Sequence, residues 1–114
     1  MGSKERIQRQ KDDTRQGILA AALQIVKQDG WAALSMRKIA DVIEYTAPII
    51  YEYFPNKEGI LLELTRQGYI LLGEKVKAAR DSKSNNEEQL EAMWLAYWDF
   101  AFEETVYYHL MYGV

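Results

Sequence analysis

Apolar residues recur along this chain at intervals of three and four, and no two-residue alternation persists. That rhythm predicts helices rather than strands, and an all-α fold. The polar run 1–12 reads as a frayed arm, and Asp13 as the cap of a first helix, with Gln16 three residues on as its reciprocal partner. Ile18, Leu19, Ala22, Leu23 and Val26 then share an apolar face, and Gly30 suits a left-handed helix end. Ser35 is placed to cap a second helix with Met36, Ile39, Ala40 and Ile43 on its inner side. Thr46 is placed to cap a third, with Pro48 in the first turn, where amides have no intrahelical partner to lose. Pro55 and Asn56 end that helix, and Asn56 opens a long fourth one to about Arg80. Residues 81–86 read as a linker. Beyond them Leu90, Met93, Trp94, Tyr97, Trp98 and Ala101 form a further helical stripe, with Glu87 and Glu88 near its positive start.

Length and composition narrow the classes. The chain has 114 residues, enough for one domain or for a small domain and part of a second. Its 48% of apolar residues supports a packed core. No run approaches the ~20 apolar residues of a membrane span, and the start has no signal-peptide core. With no cysteine there is no disulfide or thiolate metal site. These features fit a cytoplasmic protein with no membrane association, no cofactor and no metal. The net charge of −3 argues at first against a nucleic-acid partner. The acidity lies in the second half, however: residues 1–60 carry nine Lys and Arg against eight Asp and Glu, and residues 61–114 carry five against nine. The first fifteen residues hold five basic side chains (Lys4, Arg6, Arg9, Lys11 and Arg15) against three acidic ones. Phosphate binding depends on local charge, so an acidic second half does not forbid it.

The two short capped helices around residues 35–54, joined by a tight turn, suit a helix-turn-helix whose second helix enters a DNA major groove. The order Arg15, Ile18-Leu19, Ala21-Ala22-Leu23, Gly30, Leu34-Ser35, Ile39-Ala40, Ile50-Tyr51, Tyr53-Phe54 and Lys57-Glu58 resembles the tetracycline-repressor (TetR) family of bacterial regulators. The resemblance spans about residues 12–72 without an insertion and includes the ending Tyr-x-Tyr-Phe-Pro-x-Lys-Glu. It implies a flexible basic arm over 1–12 and a three-helix DNA-binding head over 13–58. The start of a ligand-sensing and dimerisation domain would follow over 59–114, entered through a long connecting helix.

By that resemblance the partners are double-stranded DNA, a second copy of the chain and an unknown small-molecule effector. Ser35, Tyr51 and Lys57 would touch phosphates, and Arg37 could reach a guanine edge, where its fork matches two acceptors. Thr46, Ala47 and Pro48 open the reading helix, and Tyr53 lies farther along it. Ala47 and Ile49 have no hydrogen-bonding side chain, so a base contact by either would be apolar. Phe54 reads as core and Trp31 as a plug between helices. Three positions depart from the family pattern. Glu44 stands where members usually have glycine, Ile49 where threonine is common, and Glu52 adds a negative charge. Glu52 either faces away from the duplex or accepts from a cytosine amino group.

Eight aromatics lie between Trp94 and Tyr112. They read first as a core or partner interface, and in a sensor domain Trp94, Tyr97, Trp98 and Phe102 could line a ligand pocket. The segments Tyr97-x-x-Phe100-Ala101 and Tyr107 to Gly113 are similar to the early sensor helices of one TetR subgroup. Family members run longer, with dimer-forming helices near their C-terminus. The chain is therefore expected to be the N-terminal portion of a regulator that by itself dimerises poorly and binds DNA weakly. The function expected is a sequence-specific transcriptional regulator, a ligand-released repressor on an inverted repeat. A helical protein-interaction module is the alternative, since it too would explain the aromatic stripe. An enzyme is not expected: the single His109, with no cysteine, leaves no nucleophile–base arrangement.

Overall fold

A computed structural model describes residues 2–112. Gly113, which closes the second sensor-like segment, and the terminal Val114 lie outside the described residues. The described residues contain six α-helices and no strand. They run α1 Gly2–Asp29, α2 Met36–Ile43, α3 Ala47–Tyr53, α4 Lys57–Asp81, α5 Asn86–Glu103 and α6 Thr105–Tyr112, with a 3-10 turn Trp31–Ala33 after α1. The chain divides after Leu61 into two compact units.

In the first unit α1, α2 and α3 gather around an aliphatic core. Ile18, Leu19, Ala22, Ile25 and Val26 of α1 are buried, with Ile39 and Ala40 of α2, Ile50 of α3, then Phe54 and Ile60. The periodic face of α1 is thus as the pattern predicts at Ile18, Leu19, Ala22 and Val26, but Leu23 is only half-buried and Ala21 and Ile25 are buried in addition. Its start is not. The helix begins at Gly2, so Asp13 lies inside it and caps nothing, and residues 2–12 are helical rather than a frayed arm. Lys, Arg and Gln propagate a helix well once a buried segment has nucleated it, which a reading by capping signals alone overlooks.

Gly30 ends α1, its N–H donating to the Val26 carbonyl at 2.8 Å. Its φ of 84° and ψ of 167° lie in a region open essentially to glycine, outside the left-handed helical well the sequence suggested. Ser35 caps α2 as expected, with Oγ accepting from the Lys38 N–H at 3.0 Å. Asn56 likewise accepts from the Gly59 N–H at 2.9 Å. Glu44 closes α2 in the left-handed conformation, φ 60° and ψ 32°. It donates its N–H to the Ala40 carbonyl, as does Tyr45 at 3.0 Å.

The second unit holds the rest of α4 with α5 and α6. Asn85 caps α5 by accepting from the Glu88 N–H at 2.9 Å, so only residues 82–85 separate α4 from α5. The aromatic stripe is broken at Glu104, whose N–H still donates to the Phe100 carbonyl at 2.8 Å before the chain turns into α6. No proline or glycine announces that break. Gly68 on α4 meets α6 closely: a Cβ there would lie 2.9 Å from Met111 Sδ and 3.1 Å from Tyr107 Cδ1.

Two substitutions test these positions. Glu44→Gly relieves the left-handed strain and is expected to stabilise the first unit by about 1 kcal/mol in urea unfolding. Gly68→Leu overpacks the α4–α6 contact and should cost roughly 1–3 kcal/mol, read as a lower urea midpoint for the second unit.

Candidate nucleic-acid interface

The helices α2 and α3 have only eight and seven residues. Each buries one side and leaves the other free. On α2, Met36, Ile39 and Ala40 are buried while Arg37 is exposed. On α3, Ile50 alone is fully buried; Ala47 and Tyr53 are half-buried, and Pro48, Ile49, Tyr51 and Glu52 are exposed. Tyr51 keeps 50% of its surface accessible, whereas Phe54 keeps 4%, which separates the outward phenol from the core ring as the sequence suggested.

The two caps differ in a way that matters for an anion. At Ser35 the Oγ lone pair is used by Lys38 N–H, but its own O–H remains a donor. Thr46 holds the cap position of α3 without any side-chain cap bond. The reason is local. Pro48 has no N–H, and the Ile49 N–H donates instead to the Thr46 carbonyl at 3.1 Å. The expected capping role of Thr46 is therefore not met, and its exposed hydroxyl is left to serve another partner.

Lys57 sits in the first turn of α4, as expected, but its ammonium is already engaged: Nζ donates to the Trp31 carbonyl at 3.1 Å and is part-buried. That contact ties the 3-10 turn to α4, and two of the three ammonium donors remain. Lys38 pairs with Asp29 at 3.0 Å, an exposed pair of little energetic weight. The sequence reading missed the stacking of Arg15 on Phe54, with the guanidinium carbon 5.0 Å from the ring centroid. The contact holds the end of α3 against α1. Thirty-nine positions separate the two residues, so no local spacing could reveal it.

In the second unit only Phe100 of the eight late aromatics is buried. Trp94, Trp98 and Phe102 keep 67%, 63% and 66% of their surface, so the core reading of this stretch fails for them within this chain. The i, i+4 spacing that suggested a core face is real; the described residues do not cover it. Trp98 and Phe102 stack with centroids 5.3 Å apart, and Trp94 meets Tyr97 edge-on at 6.4 Å. All four line a concavity of about 450 Å³ with Ala101, Thr105, Tyr108 and His109. The Tyr97 and Tyr112 hydroxyls lie 2.9 Å apart, and Tyr69 donates to the Met111 carbonyl at 3.3 Å. Sharing a hydrogen bond with Tyr97, together with partial desolvation, pushes the Tyr112 phenol up to about 12. Among the described residues no group of histidines and acids is arranged to hold a metal ion, and no helix is long and apolar enough to cross a membrane.

Comparison with known proteins agrees with this geometry. Residues 18–64 match the family described as bacterial regulatory proteins, tetR family. Over 102 residues the chain is 28% identical to the HTH-type transcriptional activator FasR of Mycolicibacterium smegmatis, covering 90% of this chain and 47% of the relative. The solved structure of regulatory protein SCO4313 superposes with a TM-score of 0.81 at 25% identity, over 94% of this chain and 51% of that one. The ketosteroid transcriptional regulator KstR2 of Mycobacterium tuberculosis gives 0.68 at 26% identity, over 88% and 50%. The chain spans about half the length of the relatives it matches.

The tyrosine contact has a measurable signature. A raised folded value means that the contact contributes stability below the ordinary phenol range, and that this is lost as pH rises from about 10 towards 12. In an ultraviolet titration of phenolate absorbance, Tyr97→Phe is expected to move one tyrosine back towards the ordinary value.

Proposed function

Since residues 18–64 match the family described as bacterial regulatory proteins, tetR family, we propose that the head reads double-stranded DNA with α3 in the major groove. The supporting observation is the division of α3 between one buried residue, Ile50, and an outward side of Pro48, Ile49 and Tyr51 opened by the uncapped Thr46 hydroxyl. A helix this short with so little buried is held by the head for what its outer side can touch.

Each residue then has a role set by its chemistry. The hydroxyls of Ser35, Thr46 and Tyr51 donate to backbone phosphates, and Tyr53, half-buried, does so from the far end of α3. Arg37, exposed on α2, presents its fork to a guanine edge. Ala47, Pro48 and Ile49 offer apolar contact, for which a thymine methyl is the matching group. Lys57 adds a phosphate contact through the donors left after its bond to Trp31. Glu52, exposed beside Tyr51, sets a cost for phosphate approach on its side of α3.

The assembly is a homodimer on an inverted repeat, with half-sites about one helical turn, roughly 34–36 Å, apart. The regulator acts in the cytoplasm as a repressor released by a small molecule. Trp94, Tyr97, Trp98 and Phe102 are the proposed contacts of that effector, in the concavity they line. The coupling element is α4, a single 25-residue helix that begins in the first unit and continues in the second. A second reading has its own observation. The exposed aromatic side of α5 suits a protein-interaction surface in place of effector binding.

Selection of bound sequences from random duplex DNA tests the reading. An enriched inverted repeat supports the dimeric regulator, an enriched single half-site removes the dimer, and no enrichment removes DNA reading altogether. On the selected sequence, Arg37→Ala should lose about 1–3 kcal/mol of discrimination at one base pair. Tyr51→Phe should instead weaken binding about equally across sequences. A reporter gene rising on deletion of the regulator marks repression, and one falling marks activation, the sign named for the Mycolicibacterium relative.

A further inference from the structure

Exposure along α3 follows the angle from Ile50, the one buried residue of that helix. At about 100° per residue, Ala47 and Tyr53 fall about 60° to either side of Ile50, and Tyr51 and Ile49 about 100° to either side. Pro48 and Glu52 fall within about 20° of the point directly opposite Ile50. Burial keeps the same order: Ala47 and Tyr53 are half-buried, and Pro48, Ile49, Tyr51 and Glu52 are exposed. Glu52 therefore does not turn away from the outer side of α3. With Pro48, one helical turn before it, it forms the crest of that side.

The chemistry around the crest is sorted. Tyr51 stands on one flank and Tyr53 on the other, each with a hydroxyl that can donate. At the crest Pro48 has no hydrogen-bonding group on its side chain, so Glu52 supplies the only one there. Among the described residues its carboxylate makes no hydrogen bond and no ion pair. The positions three and four away hold Pro48, Ile49, Pro55 and Asn56, so no cation of its own segment neutralises it.

With α3 in a major groove, the flanks meet the walls and the crest meets the floor. The groove is about 12 Å wide, so donors suit its phosphate-lined walls and a carboxylate is least opposed at the middle. An ionised carboxylate accepts and cannot donate. On the floor, guanine and thymine present only acceptors, and adenine sets its amino group beside the acceptor N7. Cytosine presents an amino donor with no acceptor of its own beside it. A charged acceptor left unpaired there keeps the full cost of its desolvation.

From this arrangement we infer that Glu52 selects cytosine at one base pair under α3, accepting from its N4 amino group and repelling guanine O6 or thymine O4 in its place. The inference rests on the DNA-reading function proposed above and adds to it the base that the crest of α3 requires. Glu52 acts largely by exclusion: its charge weakens every complex except the one that offers it a donor.

The experiment selects bound sequences from random duplex DNA with the unaltered protein, Glu52→Ala and Glu52→Gln, helix content being checked by circular dichroism. Fluorescence anisotropy then gives affinities for duplexes changed at one base pair. The unaltered protein is expected to prefer cytosine to thymine at one position by about tenfold. Glu52→Ala should lose that preference by gaining affinity for the other bases. Glu52→Gln should move it to adenine, whose N6 and N7 match an amide. Bases at the other positions should stay unchanged. If Glu52→Ala keeps the cytosine, or strengthens binding by one factor on every sequence, the carboxylate only repels the backbone and the inference is overturned. If the unaltered protein selects no sequence, the DNA-reading function falls and this inference with it. If Arg37→Ala alters one selected position while the Glu52 variants alter none, the inference alone falls.

Discussion

Two helices of eight and seven residues cannot hold themselves in water, because nucleation costs more than so few hydrogen bonds return. The arrangement of the head follows from that constraint. The apolar face of α1 supplies a wall of Ile18, Leu19, Ala22, Ile25 and Val26 against which Ile39 and Ile50 are driven from water, each fully buried. One buried isoleucine on α3 and the ring of Phe54 just after it keep that helix in place. Their small number is what leaves the outer side of α3 available. Arg15 over Phe54 and Lys57 on the Trp31 carbonyl then fix the margins of the head with long polar side chains, the kind of contact that orients elements without enlarging the core.

Local backbone chemistry sets the angle between the two short helices. A turn this tight needs one residue in the left-handed region, and here a glutamate occupies it. The strain is accepted because Glu44 and Tyr45 both bond the Ala40 carbonyl, closing α2 within two residues. The caps on either side solve the same problem differently. Ser35 uses its side chain to satisfy an orphan amide, whereas Pro48 removes the amide that Thr46 would have satisfied. Capping and ligand binding compete for the same hydroxyl, and at Thr46 the competition is absent.

The second unit follows another logic. Its α4–α6 contact is close because Gly68 has no side chain, and tyrosine hydroxyls bond to one another and to the Met111 carbonyl at its edge. Meanwhile α5 turns Leu90, Trp94, Leu95, Trp98 and Phe102 outward. This much exposed aromatic surface in one stripe is unusual for a surface with no partner.

The sequence alone determined that the segments from Asp13 to Asp29, from Met36 to Ile43, from Ala47 to Tyr53 and from Lys57 to about Arg80 are helical, and which sides of α1 and α2 go inward, because side-chain periodicity is dictated by helix geometry and is written locally. It also determined the caps at Ser35 and Asn56, since each depends on a few neighbouring residues, and the family resemblance singled out Glu44, which the structure places in the left-handed region. The family of the head was legible for the same reason, through an ordered set of short-range positions. Tertiary structure alone decided the rest. It engaged Lys57 with Trp31 and Arg15 with Phe54, pairs distant in sequence. It carried α1 back to Gly2, where no single residue signals a start. It also left the α5 stripe uncovered although its spacing is that of a core face. Periodicity states that a side is apolar; only the packing of distant segments decides whether anything lies against it.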